Sequence, residues 1–110
     1  DYRNKNYYVV ARRGDTFASI GKEFDVGARK LARYNERGRK EVLQDGDIVY
    51  LKKKRTKADK AYKRKPHIVV AGESLYSISQ KYGIRLKCLY KKNKLSPDYV
   101  PRVGDVLKVY

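Results

Sequence analysis

Residues 12–20 read RRGDTFASI, and residues 70–78 read VAGESLYSI. Laid over one another, they match in kind at nearly every place. Gly14 meets Gly72, Asp15 meets Glu73, Thr16 meets Ser74 and Phe17 meets Leu75, and both stretches close on Ser-Ile through Ser19-Ile20 and Ser77-Ile78. The Arg-Gly-Asp tripeptide of the first copy does not recur, because Ala71 stands where Arg13 stood. What recurs is glycine, acid, small hydroxyl, apolar residue. Glycine admits a tight turn, and a hydroxyl or carboxylate before an apolar run caps a helix. The tripeptide is therefore read as the turn from a strand into a helix, not as an adhesive loop.

The match continues outward at a constant offset of 58 residues, without a gap. Phe24 meets Tyr82, Val26 meets Ile84, Leu31 meets Leu89, Asn35 meets Asn93, Val42 meets Val100, and Gly46-Asp47 meets Gly104-Asp105. Self-similarity at a fixed period sets the architecture before any local reading does. The chain divides into two modules, 7–51 and 67–110, separated by residues 52–66.

Each module has the same succession of signals. A β-branched run comes first, Tyr8-Val9-Val10 or Ile68-Val69-Val70, and suits a strand. The glycine turn follows, with Asp15 or Thr16, and Ser74 in the second copy, placed to cap a helix. Phe17, Ile20 and Phe24, like Leu75, Ile78 and Tyr82, recur at i, i+3 and i+7 and make one apolar helical face directed at a core. Asp25 and Gly83 mark the break, and Gly83 suits a left-handed C-terminal position. A short second helix carries Leu31 and Tyr34, or Leu86, Leu89 and Tyr90, and ends at Asn35 or Asn93. The alternating GDIVYL and GDVLKVY supply the closing strand. The fold class is α+β: two tandem βααβ modules, each with a two-stranded antiparallel sheet packed by two short helices.

The net charge of +16 suggests polyanions, but its distribution is uneven. Residues 7–51 hold nine basic and seven acidic side chains, and residues 67–110 hold eight and three. Residues 52–66, KKKRTKADKAYKRKP, hold nine basic and one acidic. Such a block reads as a solvated basic linker favouring polyanionic surroundings, ahead of a nucleic-acid arm. No apolar run approaches membrane-spanning length, and no signal segment opens the chain, which starts as an excerpt would. The one cysteine, Cys88, excludes an internal disulfide; it is either a half-buried apolar residue or an exposed thiol.

The order strand, Gly-Asp-Thr-apolar-x-x-Ile, turn, Leu-x-x-x-Asn, Gly-Asp-x-apolar resembles the lysin motif (LysM) family. Repeat 2 matches along its length, and repeat 1 best in its first half. The resemblance implies a non-catalytic module that binds N-acetylglucosamine-containing glycan such as peptidoglycan or chitin, often beside a cell-wall hydrolase. A bacterial cell envelope location is implied by the same resemblance, and there the polyanions meeting residues 52–66 would be anionic envelope polymers. It also implies a shallow groove between the first turn and the loop after the second helix. On this chain one groove would have Gly14, Asp15, Thr16 and Phe17 facing Arg39, Lys40, Glu41 and Val42. The other would have Gly72, Glu73, Ser74 and Leu75 facing Leu95, Ser96, Pro97, Asp98, Tyr99 and Val100. Two residues after the asparagine the family prefers an apolar residue; repeat 2 has Leu95 there, but repeat 1 has Arg37. Repeat 2's second wall is therefore the closer match, while GDTF is the closer first wall.

A glycosidase needs two carboxylates held across a cleft, and the acids that recur here sit in turns. His67 has no cysteine or carboxylate spaced for metal or nucleophile work, and no phosphate loop is present. No cofactor and no catalytic residue is assigned. The alternative function is a polyanion, nucleic-acid or protein-interaction module acting through residues 52–66, with nucleic acid the weaker reading.

Overall fold

Asn4 and Lys5 both adopt positive φ, 51° and 59°, the backbone of a two-residue type I′ hairpin loop. The hairpin joins β1 (Tyr2–Arg3) to β2 (Asn6–Val10), pairing Tyr2 with Tyr7 and Arg3 with Asn6. The computed structural model describes residues 1–110 and divides into two units, Asp1–Lys54 and Arg55–Tyr110. Unit 1 continues with α1 (Phe17–Phe24), α2 (Ala28–Tyr34) and β3 (Ile48–Tyr50). Unit 2 contains β4 (His67–Ile68), α3 (Leu75–Tyr82), α4 (Leu86–Lys92) and β5 (Val106–Leu107). Each unit is an α+β module in the order strand, helix, helix, strand. Unit 2 has the two-stranded antiparallel sheet, His67 opposite Leu107 and Ile68 opposite Val106. Unit 1 adds the hairpin strand, giving the order β1-β2-β3, with Tyr8 opposite Tyr50 and Val10 opposite Ile48.

The helices begin and end where local chemistry directs. Thr16 and Ser74 each close a capping box with the serine three residues on: Ser19 N–H donates to Thr16 Oγ1 at 2.9 Å, and Ser77 N–H to Ser74 Oγ at 3.0 Å. Such a cap stabilises by about 1 kcal/mol. Both first helices end on a left-handed residue, Asp25 (φ 58°) and Gly83 (φ 68°). The apolar stripes bury Phe17, Ile20, Leu31 and Val49 in one core and Leu75, Ile78, Leu89 and Leu107 in the other.

Asn35 and Asn93 do more than end a helix. Asn35 Nδ2 donates to the carbonyls of Leu31 and Tyr50, both at 2.9 Å, and its Oδ1 accepts from Tyr50 N–H at 2.8 Å. Asn93 repeats this on Leu89 and on both backbone groups of Lys108. The side-chain amide takes the place of one more strand residue, which bolts helix to sheet.

Two expectations change. Phe24 is exposed, while its counterpart Tyr82 is buried, because Tyr82 is covered by Tyr62, at 5.0 Å edge to face, and by His67. Position 9, matching His67, holds Val9, and position 4, matching Tyr62, holds Asn4. Residues 52–66 are not a bare solvated connector. Lys54 is buried in unit 1 and paired with Glu36, and burial holds its pKa below the usual lysine range although Glu36 pulls it up. Ala58 is buried in unit 2 and donates its N–H to Val109 O at 2.7 Å.

Candidate functional site

The first wall of each candidate groove is a four-residue turn latched in both directions. Asp15 N–H donates to Arg12 O at 2.9 Å, and Arg12 N–H returns to Asp15 Oδ2 at 2.8 Å. In unit 2, Glu73 N–H donates to Val70 O at 3.3 Å, and Val70 N–H to Glu73 Oε1 at 2.8 Å. The third residue is Gly14 (φ 91°) or Gly72 (φ 85°), as a type II turn requires. Beside each of these glycines the space is open, with no atom within 4 Å of where a Cβ would lie. The same latch recurs at the entrance to the last strand: Gln44 N–H to Asp47 Oδ2 at 2.8 Å, and Arg102 N–H to Asp105 Oδ2 at 3.0 Å. Arg13-Gly14-Asp15 is thus one of four turns of a single kind. The cap of α1 is Thr16 and not Asp15, whose carboxylate is occupied by Arg12 N–H and Ser19 Oγ.

Phe17 and Leu75, read from sequence into the first walls, do not face a groove. Both are core residues, 0% and 5% exposed. Thr16, Gly14, Ser74 and Gly72 lie on the surface, and Asp15 and Glu73 are half-buried.

The second walls differ sharply. In unit 1, Arg37 reaches across the loop after α2. Its guanidinium donates to Asp47 Oδ2 at 3.1 Å and to Val42 O at 2.9 Å, and lies 3.5 Å from Glu41 Oε1. Its Cζ is 5.9 Å from the centroid of the Phe17 ring, so it links the two walls. Arg39 and Lys40 sit exposed at the tip of a turn closed by Glu41 N–H on Gly38 O at 3.0 Å, and Val42 projects outward. In unit 2 the loop is tied by the Tyr99 hydroxyl donating to Asp105. That bond, with Arg102 N–H, holds the Asp105 carboxyl below its ordinary range, and the bond to Asp105 pushes the Tyr99 phenol up. Leu95 packs half-buried on the core, and Ser96, Pro97 and Asp98 form an exposed tip. Asp98, Tyr99, Val100, Arg102 and Asp105 line a concavity of about 450 Å³. Among the residues read from sequence, the structure gathers Asp98, Tyr99 and Val100 into this one hollow.

Unit 2 also contains a buried chain of polar contacts behind its first wall. His67, 5% exposed, places Nε2 2.7 Å from Glu73 Oε1 and Nδ1 2.7 Å from the Tyr82 hydroxyl. A neutral ring protonated at Nε2 donates to Glu73 and accepts from Tyr82, satisfying all three groups. Burial pushes the Glu73 carboxyl up, but Val70 N–H and His67 outweigh it, and the net position is below the ordinary range. Burial, then Tyr62 and Glu73, raise the Tyr82 phenol. Sequence reasoning missed this chain because its members lie six and fifteen residues from His67 and meet only through the fold. Arg37 had left a signal, as the charged residue where an apolar one is preferred.

Comparison with known proteins accounts for the doubled pattern. The chain is 29% identical over 104 residues to "Probable peptidoglycan endopeptidase LytE" of Bacillus subtilis, covering 92% of this chain and 30% of that protein. It is 31% identical over 102 residues to "Autolysin" of Enterococcus faecalis, covering 87% of this chain and 13% of that protein. The chain therefore spans a third or less of the curated relatives it matches. A crystal structure of the Bacillus cereus spore cortex-lytic enzyme SleL aligns over 96% of this chain and 22% of that one, at 28% identity and a TM-score of 0.41. The LysM domain model matches twice, at residues 8–50 and 67–109. The chain belongs to the LysM domain family, as two tandem copies.

Proposed function

We propose that this chain is a non-catalytic segment that holds a protein to peptidoglycan in the cell envelope by recognising N-acetylglucosamine-containing glycan. The observation that carries the reading is the double LysM match, together with two relatives named for peptidoglycan cleavage and autolysis. The geometry is compatible. Each first wall pairs an open glycine turn with a capped helix start, offering backbone groups to the amide and hydroxyls of an N-acetyl sugar at close range.

In this reading modules 7–51 and 67–110 each contribute one groove. The first uses Gly14–Thr16 and Arg39–Val42, the second Gly72–Ser74 and Leu95–Val100. Unit 2 is the stronger binder: Tyr99 offers an amphipathic ring at the edge of a hollow, whereas Arg37 spans the first groove with a charge already paired. Shallow grooves give modest affinity singly, and two on one chain gain by avidity. Pull-down of the full chain on purified sacculi tests the proposal. Retention at high salt is expected, with Tyr99→Ala weakening it more than Val42→Ala in protein whose circular dichroism is unchanged. Recovery of the unmodified chain in the soluble fraction would refute it.

A further inference from the structure

The most densely charged stretch of the chain is held in a fixed shape. Asp59 caps the short 3₁₀ turn Lys60–Tyr62 by accepting Ala61 N–H at 3.0 Å, and the next turn follows as Lys63 N–H meets Lys60 O at 3.0 Å. The buried Ala58 and the Tyr62–Tyr82 contact anchor this segment to unit 2. Lys63 and Arg64 are thereby set beside β5, where with Lys108, Tyr62 and Tyr110 they line a concavity of about 440 Å³. No aspartate or glutamate lines it, and Lys63, Arg64 and Lys108 make no ion pair. The Lys57 ammonium lies 4.5 Å from the ring centroid of Tyr110. Lys63, Arg64 and Lys108 repel one another, and a bound anion reverses the sign of that interaction.

We propose that this concavity is an anion site for the phosphate groups of a phosphodiester-linked polyol chain. It shares no residue with the groove of Gly72–Ser74 and Leu95–Val100, and stands apart from peptidoglycan recognition. One guanidinium fork and two ammonium groups are the donors that phosphate oxygens take most strongly, and the phenol groups of Tyr62 and Tyr110 flank them. A polymer without bases fits better than a single-stranded nucleic acid, which binds by stacking bases on free aromatic faces. Here Tyr62 already meets Tyr82 edge to face, and Tyr110 lies under Lys57.

The test is titration of the full chain with poly(glycerol phosphate), followed by amide chemical shifts. Binding that weakens steeply with salt and perturbs residues 62–64 and 106–110 is expected. The triple variant Lys63→Gln, Arg64→Gln, Lys108→Gln should lose at least tenfold in affinity. A control of equal charge loss, Lys22→Gln, Lys87→Gln, Lys91→Gln, should lose less than threefold. Saturating chitin oligomer should leave polymer binding intact. Equal losses in both triple variants would show only diffuse attraction to net charge and overturn the site. Displacement by chitin oligomer would place the polymer in the groove, and tighter binding of a single-stranded oligonucleotide through the same residues would assign a nucleic acid instead.

Discussion

The two modules share one plan and fasten it differently. Unit 1 locks its second wall with a guanidinium that bridges Asp47, Glu41 and the Val42 carbonyl, and it buries Tyr50 beneath a hairpin. Unit 2 locks the corresponding loop with a phenol on Asp105 and stiffens its first wall with an imidazole between Glu73 and Tyr82. What is common to both is the acid-latched glycine turn, the hydroxyl cap and the asparagine bolt. Backbone groups left over at the ends of short elements must be satisfied, and these devices satisfy them with few residues. What varies is which side chain meets the acid of the last turn. The acid is thus fixed by the backbone, and its partner is free to set the character of the candidate groove.

The asparagine bolt separates the units most strongly. Asn35 is 1% exposed, whereas Asn93 is half-buried and its partner Lys108 lies at the surface. Asn35→Ala leaves both backbone groups of Tyr50 unmet in a dry site and should cost unit 1 about 3 kcal/mol, against about 1 kcal/mol for Asn93→Ala, where water replaces the amide. Amide exchange of Tyr50 and Lys108 measures both, and equal losses would mean that burial does not distinguish the bolts.

Alkali sharpens the contrast next. Burial, only partly offset by Arg3, raises the Tyr50 phenol to about 12. Its neutral form is favoured in the fold, so the stability it contributes is complete below the ordinary value of about 10 and is lost as pH rises from there towards 12. A shift of two units corresponds to about 2.7 kcal/mol. Tyr50→Phe should flatten the alkaline limb of unit 1 unfolding, followed by urea denaturation between pH 9 and 12. An unchanged limb would put the sensitivity elsewhere.

Acid should give the smallest effect, and in unit 2. Glu73 titrates below its ordinary range in the fold, so its contribution is present above about pH 4.3 and is lost as pH falls through the lower folded value. Glu73→Gln keeps an acceptor for Val70 N–H and His67 but removes the titration. The variant should therefore show a shallower acid limb for unit 2 and none of this change in unit 1.

Much of this was legible. The i, i+3, i+7 stripes placed Phe17, Ile20, Leu75 and Ile78 in cores, the hydroxyls capped the helices, and the break at Gly83 is left-handed as the missing Cβ allows. The asparagines were read as helix ends, and their strand contacts were invisible because they join residues fifteen apart. Asn4-Lys5 lacks the glycine that usually announces a type I′ loop, so the hairpin went unread. Lys54 was read with its charged neighbours as solvated, since its carboxylate partner, Glu36, is eighteen residues away. In the candidate site, the open glycine turns were readable from the doubled motif. The Arg37 strut and the His67 chain needed coordinates, because charge and imidazole carry no local pattern that names a distant partner.

The β1–β2 hairpin has a consequence for association between molecules. A strand at the border of a sheet offers unpaired N–H and C=O groups on which another chain can add a strand. In unit 1, β2 lies between β1 and β3: residues 1–3 cover one border along Asn6–Tyr8, and β3 covers the other along Tyr8–Val10. Unit 2 has no such guard, but its strands are two residues long, too short to template a neighbour well. A chain trimmed of residues 1–5 would uncover the border of β2 along Asn6–Tyr8, with Tyr7 already facing solvent, and would gain a site for edge-to-edge self-assembly.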